Sequence, residues 1–360
     1  MAVPILSPSL PSRRALTRGS AYGRLPEEMS TANGAPFGPS LFRRLQRPWL
    51  WEAEAPRFGK RLRWVFSTEE LFLPTIRSSQ VSMDGTTKVL LDFSGDRTEL
   101  VHMPRHVSSE RVTLCVSSQV GCAMGCAFCA TARLGMRRNL SAGEIVGQVL
   151  VVLRALGPRH SSALSLVFMG MGEPLHNGKE VARAIEVLAH PDGLAITPRR
   201  MTVSTVGLVP EIERLGRLTK RPHLAVSLNA TTDELRSQLM PVNRKYPLAM
   251  LKSALERYPV GPKDRILIEY VLMRGLNDRL EDAARLSEFV SGFPHHINLI
   301  PFNPFAGAPF EAPRREDIDR FAKAILGIRP TLVTVRTSRG RDIDGACGQL
   351  ARREGLNASS

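Results

Sequence analysis

Residues 115–130 read Cys-Val-Ser-Ser-Gln-Val-Gly-Cys-Ala-Met-Gly-Cys-Ala-Phe-Cys-Ala, and Cys122, Cys126 and Cys129 within them form a C-x3-C-x2-C run. Thiolates spaced this closely converge on one small inorganic centre, because the chain between them can only wrap around it. A structural zinc site closes on four ligands, commonly two C-x2-C knuckles. An iron–sulfur cluster is commonly held by four cysteines. Three cysteines in one loop leave one iron uncapped and open to bind and activate a substrate. Gly121, Ala123, Gly125 and Ala127 are small enough for the backbone to approach such a cluster. The competing reading, a zinc knuckle completed by Cys115 or a histidine, fits the common zinc spacings poorly.

Working outward, the pattern predicts alternating strands and helices. A strand over Thr113–Val120 feeds the cysteine loop, and Ser141-Ala142-Gly143-Glu144 is a capping box opening a helix through Ile145, Val149, Val152 and Leu156. Ala163–Met169 is a continuous apolar run, as a strand buried on both faces should be. Further strands are expected at Arg200–Thr205, His223–Leu228, Arg265–Met273, Ile297–Ile300 and Thr331–Thr337, with a helix on the stripe Ile318, Phe321, Ala322, Ile325 before the last. No G-x-G-x-x-G follows the first strand, so an α/β barrel fits better than a dinucleotide-binding fold. Upstream, residues 79–103 read as a three-stranded meander turning at Asp84-Gly85 and Ser94-Gly95. Alternation there puts Glu99 on the same face as Val101 and Met103.

The 360 residues carry 49 Lys+Arg against 34 Asp+Glu, a net charge of +15, which favours a polyanionic partner. No stretch approaches a membrane span. Five cysteines, three of them committed to the loop, point to a reducing compartment rather than a disulfide scaffold. The expected organisation is a disordered basic extension over 1–40, with Met29 as an alternative start; a small accessory region with the meander over 41–104; the barrel over 105–350; and a tail over 351–360. Trp49, Trp51 and Trp64 lie among arginines and read either as the core of that accessory region or as a nucleic-acid surface.

Further words of sequence narrow the class. Thr113 to Cys122, Arg138-Asn139-Leu140, Gly170-Met171-Gly172-Glu173-Pro174, Ser204-Thr205-Val206-Gly207 and Asp344-Gly345-Ala346-Cys347-Gly348-Gln349-Leu350 occur in this order. Together they resemble the RlmN/Cfr family of radical-SAM RNA adenine methyltransferases, from about Ser79 to Leu350, with Gly-Glu-Pro at 172–174 and Asn-Pro-Phe at 303–305 closer to the RlmN branch. The resemblance implies a partial (βα)6 barrel and one 4Fe–4S cluster on Cys122, Cys126 and Cys129. It implies S-adenosylmethionine (SAM), two molecules per turnover, bound by Gly172, Glu173, Ser204, Ser227, Leu228, Asn229 and Asn303. The family commonly has histidine where this chain has Asn229.

By the same resemblance Cys347 is methylated by one SAM, and a radical from the second takes a hydrogen from that methyl group. The carbon then adds to C2 of adenine, Glu99 removes the ring proton, and Cys115 attacks the Cys347 sulfur, releasing product as a disulfide. Read from the residues alone, an isolated buried cysteine is a small hydrophobe, and any one of the SAM words is a turn or helix cap. The implied substrate is adenine in 23S rRNA at the peptidyl transferase centre, and tRNA. The implied setting is a cytoplasmic monomer taking electrons from flavodoxin or ferredoxin. Arg133, Arg137, Arg138, Arg244, Lys245, Arg336, Arg339 and Arg341 are candidates for RNA phosphates. The rival readings are a Cfr-like enzyme methylating C8 and conferring antibiotic resistance, or a non-catalytic iron–sulfur or zinc RNA-binding protein.

Overall fold

The computed structural model describes residues 20–33, 38–51, 71–106 and 110–351. Two short helices come first, α1 (Pro26–Asn33) and α2 (Gly38–Gln46). Within the segment expected to be disordered, 1–40, the described residues Tyr22 and Met29 are buried, and Phe42 and Leu45 are buried just beyond it. The apolar residues that sequence periodicity passed over are spent on docking. Tyr22 lies 6.0 Å from Trp51, whose indole N–H donates to the Arg44 carbonyl at 2.7 Å. Trp49 and Trp51 therefore act as core residues, and Trp64 lies outside the described residues.

The meander follows as β1 (Thr75–Val81), β2 (Thr87–Phe93) and β3 (Asp96–Pro104), with its turns at the expected Asp84-Gly85 and Ser94-Gly95. Then come β4 (Val112–Cys115), β5 (Gln119–Gly121), β6 (Met136–Asn139), α3 (Ala142–Leu156), β7 (Leu164–Phe168), α4 (Gly178–Leu188), β8 (Met201–Thr205), α5 (Val209–Gly216) and β9 (His223–Ser227). The chain continues through α6 (Asp233–Leu239), α7 (Leu248–Glu256), β10 (Ile266–Leu272), α8 (Leu280–Phe289), β11 (His295–Pro301), α9 (Arg315–Ile328) and β12 (Val333–Val335).

Among the described residues ten strands form one sheet in the order β1-β2-β3-β4-β7-β8-β9-β10-β11-β12. From β4 to β12 every neighbour is parallel, and the six connections between these strands are the expected βα steps. The meander continues the same sheet antiparallel, β3 pairing β4 through Val101↔Cys115. The sheet runs from β1 to β12 without joining its ends, so the barrel is open.

The expected strand over Thr113–Val120 is broken in two. After Val116 the ladder ends, and the Ser117 peptide is held instead by the buried Gln148 side chain of α3. Its N–H donates to Gln148 Oε1 at 3.0 Å and its carbonyl accepts from Nε2 at 2.8 Å. The chain can therefore leave the sheet with no buried peptide group unpaired and start β5, which pairs with β6 in a separate ribbon. Helix α3 starts at the predicted capping box: Ser141 Oγ accepts from Glu144 N at 3.2 Å and Glu144 Oε2 accepts from Ser141 N at 2.8 Å. It packs Ile145, Val149 and Val152 against the sheet, each contributing on the order of 1.5–3 kcal/mol as an upper bound.

β7 is not buried on both faces. Leu164, Leu166 and Phe168 are buried, whereas Ser165 and Val167 are half-buried. The face carrying Val167 looks into the open barrel, where it packs with Val101, Cys115, Met171 and Leu350.

Candidate functional site

The β5–β6 ribbon frames the cysteine loop. Gly121 and Gly172 fix its two approaches. At Gly121, φ is +83° and an added Cβ would stand 1.8 Å from the Gly135 carbonyl oxygen; at Gly172, φ is +100° and a Cβ would stand 2.6 Å from Gln119 Cβ. Both conformations are open to glycine and costly for other residues. Ala127 N donates to the Leu239 carbonyl at 2.9 Å and Ala130 N to the Gly348 carbonyl at 2.7 Å, tying the loop to α6 and to the segment carrying Cys347. Asn177 Nδ2 donates to the carbonyls of Ser118 (2.8 Å) and Leu140 (2.7 Å) and fixes the ribbon's base.

Cys122, Cys126 and Cys129 line one cavity of about 150 Å3 at the C-terminal ends of the parallel strands. Gly172, Glu173, Ser204, Ser227, Asn229, Asn303 and Cys347 line the same cavity. Leu228 does not. Its side chain is fully buried in the main core and its N–H donates to the Glu269 carbonyl at 2.9 Å. The alternation along β9 that points Ser227 inward turns Leu228 outward.

The cavity's carboxyl and amide groups are partly committed. Glu173 is buried, its Oε1 accepting from Leu175 N at 3.0 Å and its Oε2 from Val206 N at 2.9 Å. Burial outweighs those bonds and pushes its pKa up to about 7. Asn229 sits at φ +57° with its Oδ1 accepting from Val271 N at 2.8 Å, so its amide also holds two strands together. Asn303 donates from Nδ2 to the Cys347 carbonyl at 3.1 Å, while its buried Oδ1 has no hydrogen-bond partner.

Burial raises the pKa of all three loop thiols, Cys122 to about 12, with neighbouring cysteines adding to the effect. A metal centre supplies the positive charge that reverses this. Among the described residues no three His, Cys, Asp or Glu side chains are gathered to hold one metal ion. The three thiols on one cavity match the ligand number of a cluster with one open iron. The unpartnered Asn303 Oδ1 and the two-sided Glu173 carboxylate give a SAM molecule polar anchors in the same cavity.

Cys115 and Cys347 line a second, smaller cavity of about 20 Å3 with Val101, Met103, Arg336 and Leu350. Cys347 thus borders both cavities. Both thiols are free. Burial, and next the nearness of Cys347, push Cys115 up to about 12, with Arg336 opposing. Glu99 lies one strand away and lines neither cavity. It is buried, its Oε2 accepts from Ala351 N at 2.8 Å, and Lys88 Nζ stands 3.6 Å from Oε1.

Several residues here were not foreseen. Glu269 lies in the middle of β10, in the apolar word Ile-Leu-Ile-Glu-Tyr-Val-Leu, and accepts from Ser204 Oγ at 3.0 Å. Arg336 Nη1 stands 3.7 Å from Glu269 Oε1, so this arginine, expected to face RNA, is turned inward to a carboxylate beside two thiols. A lone acid in a strand interior was the available signal. Lys88, opposite Val101 in the β2–β3 register and thus on the Glu99 face, was legible only once that register was known. Arg138 is likewise committed, to Asp96 at 2.7 Å and to both Glu144 oxygens at 2.8 and 2.9 Å.

An open parallel sheet with three thiols looping from the end of its first parallel strand defines the radical SAM class, and residues 116–287 match the profile of the Radical SAM superfamily. A dual-specificity RNA methyltransferase RlmN of Geobacter sulfurreducens is 48% identical over 310 residues, 84% of this chain and 83% of its own. Its counterpart in Campylobacter jejuni is 39% identical over 348 residues, 91% and 96% of the two chains. A radical SAM methyltransferase structure from Sphaerobacter thermophilus superposes with a TM-score of 0.84 at 39% identity, covering 93% of this chain and all of that one. The chain belongs to the RlmN family of radical SAM RNA methyltransferases. These alignments are longer than the 79–350 stretch, so the likeness extends past the limits that the motifs alone suggested.

Proposed function

We propose that the protein methylates C2 of an adenine in 23S rRNA, at the peptidyl transferase centre, and in tRNA, by way of a methyl group carried on Cys347. The observation that carries this reading is that Cys347 borders both cavities, the one lined by the three loop thiols and the one lined by Cys115. Cys122, Cys126 and Cys129 would hold the 4Fe–4S cluster, and Gly172, Glu173, Ser204, Ser227, Asn229 and Asn303 the SAM. When bound, the two supply a transferable methyl group and one-electron hydrogen abstraction, with two SAM consumed per turnover.

The chain's own residues do the rest. As a thiolate, Cys347 Sγ would attack the methyl carbon of one SAM, S-adenosylhomocysteine would leave, and the methyl group would stay on Sγ beside the thiol cavity. The Asn303 bond to the Cys347 carbonyl holds that turn against the cavity wall. Once the methyl carbon is joined to the ring, a base must take the C2 proton, and Glu99 is the buried carboxylate on the strand beside Cys115. Lys88 Nζ stands 3.6 Å from Glu99 Oε1. Cys115 would then attack Cys347 Sγ, the sulfur–carbon bond would break, and the freed carbon would take a proton to complete the methyl group, the odd electron left by radical addition having returned to the redox cofactor; the disulfide formed within the cycle would need a dithiol reductant to give back the two free thiols.

The target base must leave its stack to reach the cavity, which suits an RNA loop or distorted helix. No helix among the described residues is long and apolar enough to cross a membrane. A monomer working in the cytoplasm with a flavodoxin- or ferredoxin-type donor fits these features. Mass spectrometry of rRNA and tRNA nucleosides from a deletion strain tests the assignment. Loss of 2-methyladenosine is the expected result, and loss of 8-methyladenosine would move the protein to the C8 chemistry.

A further inference from the structure

We propose that the open groove on the outer side of the cysteine loop is the docking surface for an acidic protein that carries single electrons. This rests on the reading that the three thiols hold a redox cluster. The groove, about 590 Å3, is walled by Ala123 and Met124 of the loop, by Lys179 at the start of α4, and by the segment Pro241–Tyr246. Met124 also lines the thiol cavity, so one side chain is shared between groove and cavity. Electron tunnelling falls steeply with distance, and a protein cannot enter the cavity. A carrier must therefore pass its electron through a thin wall, and the Met124 wall is one. In the transfer one electron leaves the carrier and arrives at the cluster, with no proton or bond exchanged.

The charges around the groove select the partner. Lys179 and Lys245 are exposed and form no ion pair among the described residues. Lys245 Nζ rests 5.4 Å over the Tyr246 ring. The acid on this wall, Glu211, is neutralised by Arg214 at 2.5 Å. The groove therefore presents net positive charge around apolar Leu175 and Val242. Electrostatic steering onto a small mixed surface is what a transient electron-transfer encounter uses. RNA is the weaker candidate, because Cys115, Glu99 and Cys347, which the target base must meet, lie off the groove.

The test uses anaerobic, iron-replete enzyme and follows bleaching of the cluster absorbance in stopped flow, with reduced flavodoxin as the acidic carrier and dithionite as a small reductant. In Lys179→Glu/Lys245→Glu the flavodoxin rate should fall about tenfold or more at low salt, and the gap should close toward ~0.5 M salt. The dithionite rate should stay at the parent value. Carboxylate-to-amine crosslinking followed by peptide mapping should join flavodoxin to Lys179 or Lys245 of the parent enzyme. An unchanged flavodoxin rate in iron-replete variant overturns the proposal, and so does equal slowing by dithionite, which would mean a damaged loop. Lost RNA affinity with an intact flavodoxin rate makes the groove an RNA surface and also overturns it. Absence of iron from anaerobic preparations instead sinks the cluster reading on which the proposal rests.

Discussion

Glu173→Gln in the cofactor-free protein should reverse its effect on stability with pH. Burial raises the folded-state pKa of Glu173 from 4.5 to about 7. Because the folded state holds the proton longer than the unfolded chain, stability is greatest below the unfolded value and is lost as pH rises toward about 7. The full loss is about 3 kcal/mol by pH 8, and about 2.5 kcal/mol of it accrues between pH 5 and pH 8. Glutamine carries no charge and escapes that loss. It also gives up one of the two N–H acceptors now offered to Leu175 and Val206, at about 1–3 kcal/mol with little dependence on pH. The variant should thus be less stable than the parent at pH 5 and close to it or more stable at pH 8. Urea unfolding of both proteins at several pH values gives the difference directly, and other titrating groups cancel. Parallel stability curves from pH 5 to pH 8 would refute the argument that this carboxylate is held against its charge.

Cys115→Ala should accumulate enzyme joined covalently to RNA, surviving denaturing gels and mapping to the Cys347 peptide, whereas Cys347→Ala should carry none; near-normal turnover in Cys115→Ala would return it to a packing role. Glu99→Gln should retain the cluster and methylated Cys347 while losing methylated RNA by a factor of about 100 or more; product at the parent rate would require another base. Arg138→Ala should lower stability by about 1–2 kcal/mol through its bonds to Asp96 and Glu144, with RNA affinity little changed in filter binding. Anaerobic reconstitution should load about four irons per chain, and one zinc with no iron would exclude a cluster.

What was legible in the sequence follows from physical range. The Asp84-Gly85 turn, the Ser141–Glu144 capping box and the cysteine loop are local, and each word carries its own mechanism. The end of β4 was not local. Whether Val116–Val120 stays in the sheet depends on Gln148, which looks from sequence like any polar residue on a helix. The Leu228 side chain faces away from the cavity because adjacency to Ser227 in sequence is opposition across a strand. Arg138 and Arg336 read as RNA contacts by charge alone, and their carboxylate partners Asp96 and Glu269 lie 42 residues upstream and on another strand, respectively. Helix α1 was not legible because Tyr22 and Met29 have no period of their own; both are buried in the main core.

The segment after β12 is fastened mainly to the hairpin at the opposite end of the sheet. Asp342 Oδ1 accepts from Ser82 Oγ at 2.6 Å across 260 residues, Gly340 N donates to Asp84 Oδ2 at 3.0 Å across 256, and Ala351 N donates to Glu99 Oε2 at 2.8 Å across 252. Contacts of such separation carry the largest loop-closure cost and form after local structure. Cys347 and Gly348, which follow this fastened segment, form part of the wall of the thiol cavity. One wall of the cavity that the cysteine loop opens into is thus anchored through the far edge of the sheet, and the integrity of the site depends on hydrogen bonds made to a hairpin that lines no part of it.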